Sequence, residues 1–218
     1  MTVTEYALFP TRLLAIEFPE SGPLNRELAE LFEARFHGEF DMHPDSLNLL
    51  ALADAHPCVA RLGEMFRGGL QRWLAAERLR GEFTAEVVLF SNYAGRGDFT
   101  LIHNHNADVV GIYYVKTADY GRSPVAVPDP NGDYEYFAAE DGVLVLHDPR
   151  FNANLAAVRS TDYAKVFPRP GLMLLFPGYL WHSVTPHLGD FRRLAISANF
   201  RLRSPAANAV TWPVRDEG

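Results

Sequence analysis

The stretch "LIHNHNADVVGIYYV", residues 101–115, decides how the chain is read. His103 and His105 stand two apart ahead of a β-branched and aromatic run, so the segment reads as a strand end, a turn and a second strand. In extended backbone residues i and i+2 face the same way, and two imidazoles on one face can share a divalent cation. Two histidines at a strand end are more often plain solvated residues, so a third ligand is needed. "GLMLLFPGYLWHSV", residues 171–184, offers one: an apolar strand, Pro177 and Gly178 as turn formers, then His182 in apolar surroundings.

The segments around these two have the same character. "FTAEVVLFSNY" (83–93), "GVLVLH" (142–147) and "RRLAISANFRL" (192–202) are short, rich in strand-forming residues, and separated by Gly, Pro, Asn and Asp clusters. Many short strands predict a β-sandwich or jelly roll, in which distant strands meet at one end and His182 could reach the pair. Residues 117–142 form a polar excursion rich in Pro and Gly, expected as a long loop or hairpin near a pocket.

Residues 1–80 read as a helical lead-in. In "GPLNRELAELFEARF" (22–36), Leu24, Leu28, Leu31, Phe32 and Phe36 recur at helical spacing. In "DAHPCVARLGEMFRGGLQRWL" (54–74), Pro57 suits a first helical position and Val59, Leu62, Phe66, Leu70 and Trp73 make the apolar face. The expectation is one soluble domain over 1–218, with the helices of 1–80 bracing a core at 82–203.

Composition narrows the function. The net charge of -7 and the scattered basic residues leave no footprint for a phosphate backbone, so nucleic acid is not expected as a partner. The single cysteine, Cys58, excludes a disulfide framework and a thiolate zinc site and reads as a small packing residue. The first twenty residues carry acids and prolines where a signal peptide needs a basic start and an unbroken apolar run. No apolar segment suits a membrane span, and the expected location is a reducing cytoplasm.

Four segments in this order, "HNHNADVVGIYYV", "LVLHDPR", "PGLMLLFPGYLWHSVTP" and "RRLAISANF", resemble the motifs of a bacterial family of 2-oxoglutarate- and iron(II)-dependent oxygenases. The resemblance runs from about residue 85 to 201 and is most specific from Pro170 to Phe200. It departs at Val110, where the family tends to have Ser, and at Asn106, where it tends to have Pro. It implies a mainly β fold with N-terminal helices, a double-stranded β-helix (jelly roll) with metal at one end. The activity implied is hydroxylation of an unidentified substrate, with 2-oxoglutarate as cosubstrate released as succinate and CO2. Carried over residue by residue, His103 and His182 become iron ligands.

The third ligand is open between two residues. Most such enzymes have an acid where this chain has His105, and Asp108 could replace it only if the strand breaks to turn the acid inward; the i, i+2 geometry favours His105. Otherwise Asp108 is a turn residue or an acceptor for an imidazole N–H. Three neutral ligands leave the metal at +2, which favours a dianionic chelator such as 2-oxoglutarate and also suits zinc. The far carboxylate of the cosubstrate needs a cation, preferably a guanidinium. Alternation along "RRLAISANF" puts Arg193, Ala195, Ser197 and Asn199 on one face, making Arg193 the first candidate and Ser197 an assistant. Arg150 is held in reserve, Asn92 is a possible wall residue, and Tyr113 is a lesser cosubstrate contact, since it and Tyr114 sit on opposite faces. His147 reads as a strand histidine, and His37, His43, His56 and His187 as histidines without partners. Two other readings stay open: a cupin-like metal enzyme that does not use 2-oxoglutarate, although Val109 and Val110 stand where cupins carry a glutamate, and a non-catalytic metal-bound binding module. The oligomeric state is not legible.

Overall fold

The computed structural model describes residues 10–35, 48–79, 83–118, 120–121, 123–126, 140–150 and 163–203. Among these, the order is β1 (Leu14–Glu17), α1 (Gly22–Arg35), a short 3-10 helix (Leu49–Leu52), α2 (Pro57–Ala76), then β2 (Thr84–Ala94), β3 (Thr100–His103) and β4 (Val109–Lys116). β5 (Val125–Ala126), β6 (Leu144–His147), β7 (Tyr163–Val166), β8 (Leu172–Pro177), β9 (His182–Val184) and β10 (Arg193–Arg203) follow. Phe36, His37, His43 and most of the excursion lie outside the described residues; the start of the excursion carries β5.

Two five-stranded antiparallel sheets result, ordered β1-β8-β4-β10-β2 and β3-β9-β6-β7-β5. From β2 onward the chain passes back and forth between them, which is the double-stranded β-helix expected. "VVGIYYVK" is β4 without a residue to spare, and it is buried and free of charge from Val109 to Val115 because both its faces are covered. Val109, Tyr113 and Val115 face the helices, while Val110, Ile112 and Tyr114 face the second sheet. Strand β10 obeys the same alternation: Leu194, Ile196, Ala198 and Phe200 join the helix-side core, and Ala195 joins the core between the sheets.

The helices seal the outer face of the first sheet. Helix α2 opens with Pro57 in its first turn and buries Cys58, Val59, Leu62, Phe66, Leu70 and Trp73 on one side. Burying each of the large ones contributes roughly 1.5–3 kcal/mol. The Cys58 thiol belongs to this packing, and burial raises its pKa. Among the described residues no helix is long and apolar enough to cross a membrane.

Candidate metal and cosubstrate site

His103 closes β3 and His182 opens β9, and the two are directly paired across the strands. Between Thr100 and His103 the register slips, three steps on β3 matching two on β9, a bulge of the kind that re-aims side chains. His105 lies just past the strand end. Its N–H donates to the Gly178 carbonyl at 3.0 Å, and the Gly178 N–H donates to the Asp108 carbonyl at 3.0 Å. The approach is so close that a Cβ on Gly178 would stand 1.9 Å from the Ala107 carbonyl oxygen. Gly178 therefore serves less as a turn former than as the only residue that lets the 104–108 segment lie flat on the β8–β9 turn.

The three imidazoles converge. Each offers a ring nitrogen within 4.8 Å of the others, and this is the group among the described residues able to hold a metal ion. Ring centroids are 4.2 Å apart for His103 and His182, 5.0 Å for His103 and His105, and 5.1 Å for His105 and His182. His103 Nδ1 lies 2.7 Å from the Leu101 carbonyl and His182 Nδ1 lies 2.9 Å from the Leu180 carbonyl, contacts that place the proton on Nδ1 and leave each Nε2 as a lone pair. His182 Nε2 sits 3.3 Å from His105 Nε2. Lone pairs aimed into one point repel unless a cation or proton lies among them.

Burial keeps the His105 and His182 rings uncharged. Phe176 stands edge-on to His182 at 5.2 Å and Phe90 stacks on His105 at 6.1 Å. Burial, reinforced by the neighbouring imidazoles, lowers the His182 pKa to about 3, against the opposing hydrogen bond to Leu180. For His105, burial and His103 lower it to about 4, with Asn199 acting in the other direction. Neutral imidazole is the metal-binding form.

Asp108 is turned elsewhere. Its Oδ2 accepts the Leu202 N–H at 2.7 Å and its own N–H donates to Phe200 at 2.9 Å, so the acid fastens the turn to β10 at an exposed position.

Arg193 begins β10 with only 3% of its surface exposed, its guanidinium 5.5 Å from the Tyr114 ring. Burial lowers its pKa while Tyr114, Tyr120 and Asp141 oppose that. Its Nε has no partner, and neither has the Tyr114 hydroxyl, whose pKa burial raises to about 12. Asn199, two positions beyond buried Ser197 on the same face, points its side chain to the His105 ring. Orphaned polar atoms in a dry interior are costly, and a bound polar ligand is one way to satisfy them. Asn92 lines a small pocket with Arg193, Thr185 and His187.

The remaining candidates fall in different places. Tyr113 is the helix-side tyrosine: its hydroxyl donates to Asn25 Oδ1 at 2.7 Å and Phe18 packs on its edge, so Tyr114 takes the interior place. Arg150 is exposed and bound to Asp148 through Nε and Nη2 at 2.9 and 2.6 Å, away from the interior. His147 Nε2 pairs with Ser183 Oγ at 3.2 Å. His187 does have a partner, Asp141, and is buried; its distance of 46 residues from that acid hid the pair from sequence reading. Asn199 had a signal, since it shares the alternation that placed Arg193.

A protein-family model described as "Putative 2OG-Fe(II) oxygenase" matches residues 89–199, half of the chain, and the chain belongs to that family. Solved structures share the fold at low identity. HygX from Streptomyces hygroscopicus, with nickel, 2-oxoglutarate and hygromycin B bound, is 17% identical, TM-score 0.55, over 88% of this chain and 83% of that one. A prolyl hydroxylase from Trichoplax adhaerens, bound to a hypoxia inducible factor peptide fragment, is 14% identical, TM-score 0.51, over 87% and 83%. A prolyl 4-hydroxylase from Phytophthora capsici is 15% identical, TM-score 0.51, over 94% and 63%. No match is found among curated protein sequences.

Proposed function

We propose that this chain is an iron(II)- and 2-oxoglutarate-dependent oxygenase that hydroxylates a C–H bond of its substrate. The observation that carries the reading is the convergence of His103, His105 and His182 within 4.8 Å. The donor set fits the metal: burial favours the neutral form of His105 and His182, and the His103 and His182 rings are fixed by carbonyls with Nε2 free. The same set suits zinc, which is the substitute to expect in isolated protein.

The unpartnered Arg193 and Tyr114 atoms fit the cosubstrate. Arg193 receives the distal carboxylate, as a guanidinium does best, and the Tyr114 hydroxyl and Ser197 donate to it. Val110, Ile112, Leu144, Leu174 and Phe176 surround this space with apolar surface and exclude water. When bound, iron(II) would let dioxygen serve as the oxidant, one oxygen atom passing to succinate as 2-oxoglutarate loses CO2 and the other entering the substrate's C–H bond as the hydroxyl.

The test is release of CO2 from carboxyl-labelled 2-oxoglutarate by the iron-loaded protein, with Arg193→Met as comparison. The reading expects slow release without primary substrate, lost in the variant at cosubstrate levels that saturate the wild type. No release by wild type, with zinc held tightly instead, favours the cupin-like alternative.

A further inference from the structure

We propose that His187 is a positioning residue for Arg193, holding two ring protons and using both to lock the Asp141–Gly142 turn in place; this rests on the cosubstrate role given to Arg193 above. Its Nδ1 lies 2.6 Å from Asp141 Oδ1 and its Nε2 lies 2.6 Å from the Phe191 carbonyl. A carbonyl oxygen and an ionised carboxylate only accept, and a neutral imidazole carries one N–H. With one proton, one contact would press a lone pair onto an oxygen, and at 1% exposure no water relieves it. Both contacts are hydrogen bonds only for the imidazolium.

The lock reaches Arg193 through Asp141. Asp141 Oδ1 also accepts the Leu188 N–H at 2.8 Å, and the Gly142 N–H donates to Pro186 at 3.0 Å, so the turn and the β9–β10 loop are fastened together. Gly142, at φ 62°, leans on the guanidinium stem: a Cβ there would stand 3.0 Å from Arg193 Cδ. His187 and Arg193 line the same pocket. The imidazolium neutralises Asp141, leaving the Arg193 charge for an incoming carboxylate. Without that proton, Asp141 is a free anion beside Arg193 and competes with the cosubstrate.

The other groups facing this assembly are accounted for. The Asp98 carboxylate is held by the Gly95 N–H at 2.7 Å, while its carbonyl accepts the His187 N–H at 2.9 Å. Tyr120 donates its hydroxyl to the Asp141 carbonyl. Arg96 and Asp190 pair at 2.5 Å on the exposed side of the loop.

Two measurements on the full-length protein decide the matter. Ring nitrogen shifts of His187 by NMR at neutral pH should show two N–H groups; a single-proton tautomer overturns the proposal without reference to any cosubstrate. In the iron-loaded, anaerobic protein, His187→Gln should weaken 2-oxoglutarate binding by roughly tenfold, the loss of one charged hydrogen bond, while in aerated buffer the rate of CO2 release at saturating cosubstrate stays at the wild-type value. Adding Asp141→Asn removes the competing anion and should recover much of that affinity, a rescue that simple damage to the loop would not give. Unchanged affinity in His187→Gln, or no recovery in the double variant, overturns the proposal. If wild type binds no 2-oxoglutarate, the oxygenase reading falls and the positioning role with it, while the NMR result separately shows whether the two-proton bridge exists.

Discussion

Substituting Gly178 by alanine should damage the metal site from outside it. The new Cβ would stand 1.9 Å from the Ala107 oxygen and 2.7 Å from its carbonyl carbon, where 3.0 Å is the practical limit, so backbone must withdraw by about 1 Å. The segment that withdraws carries His105, and it is tied to Gly178 by the two hydrogen bonds from His105 and to Asp108. Overpacking of this kind costs about 1–3 kcal/mol, and each hydrogen bond stretched adds about 1 kcal/mol. For a chain of this size the total of about 3–5 kcal/mol lowers Tm by roughly 6–20 °C. A ligand displaced by about 1 Å should cost roughly a hundredfold in function. Thermal unfolding and cobalt(II) or iron(II) titration read the two effects. Gly22→Ala is the control, because nothing stands within 4 Å of a Cβ there. Wild-type Tm and wild-type metal affinity in Gly178→Ala would refute the packing argument.

Three further outcomes are expected. Metal content should separate the two ligand candidates: His105→Ala loses most bound iron, whereas Asp108→Asn, which still accepts the Leu202 N–H, keeps it; the reverse result would make Asp108 the third ligand. Tyr113→Phe should cost about 1 kcal/mol of stability through Asn25 and leave 2-oxoglutarate affinity alone, while Tyr114→Phe should spare stability and weaken that affinity severalfold. Because the folded pKa values of His105 and His182 lie at about 4 and 3, below the usual 6.5, the unfolded chain binds more protons inside that window. Stability of the metal-free protein is therefore full above about pH 6.5 and falls as pH drops toward 4, with a smaller fall in His182→Ala; a flat Tm between about pH 7 and 5 would contradict the burial of these rings.

Much of this architecture could be read from periodicity. The strand runs at 109–116 and 192–202 and the helix faces of α1 and α2 fell where spacing put them, because alternation and helical repeat report which side of an element is buried. Strands β1, β5, β7 and β9 are two to four residues long and carry no period of their own; their pairing partners define them. For the site, His103, His105 and His182 were legible from spacing and resemblance, and Arg193 from alternation. Which of Tyr113 and Tyr114 faces inward was not, since β4 is apolar on both sides and period two gives no sign. The His187–Asp141 pair and the close approach at Gly178 depend on contacts between distant segments, which no local pattern records.

The central claim is that the three histidines hold a metal that receives 2-oxoglutarate. Anaerobic titration of the protein with iron(II) and then 2-oxoglutarate, followed by visible absorption, tests it most directly. The account expects a metal-to-ligand charge-transfer band that appears only after both additions and saturates at one equivalent of each. Absence of that band in protein shown to have taken up iron would contradict it.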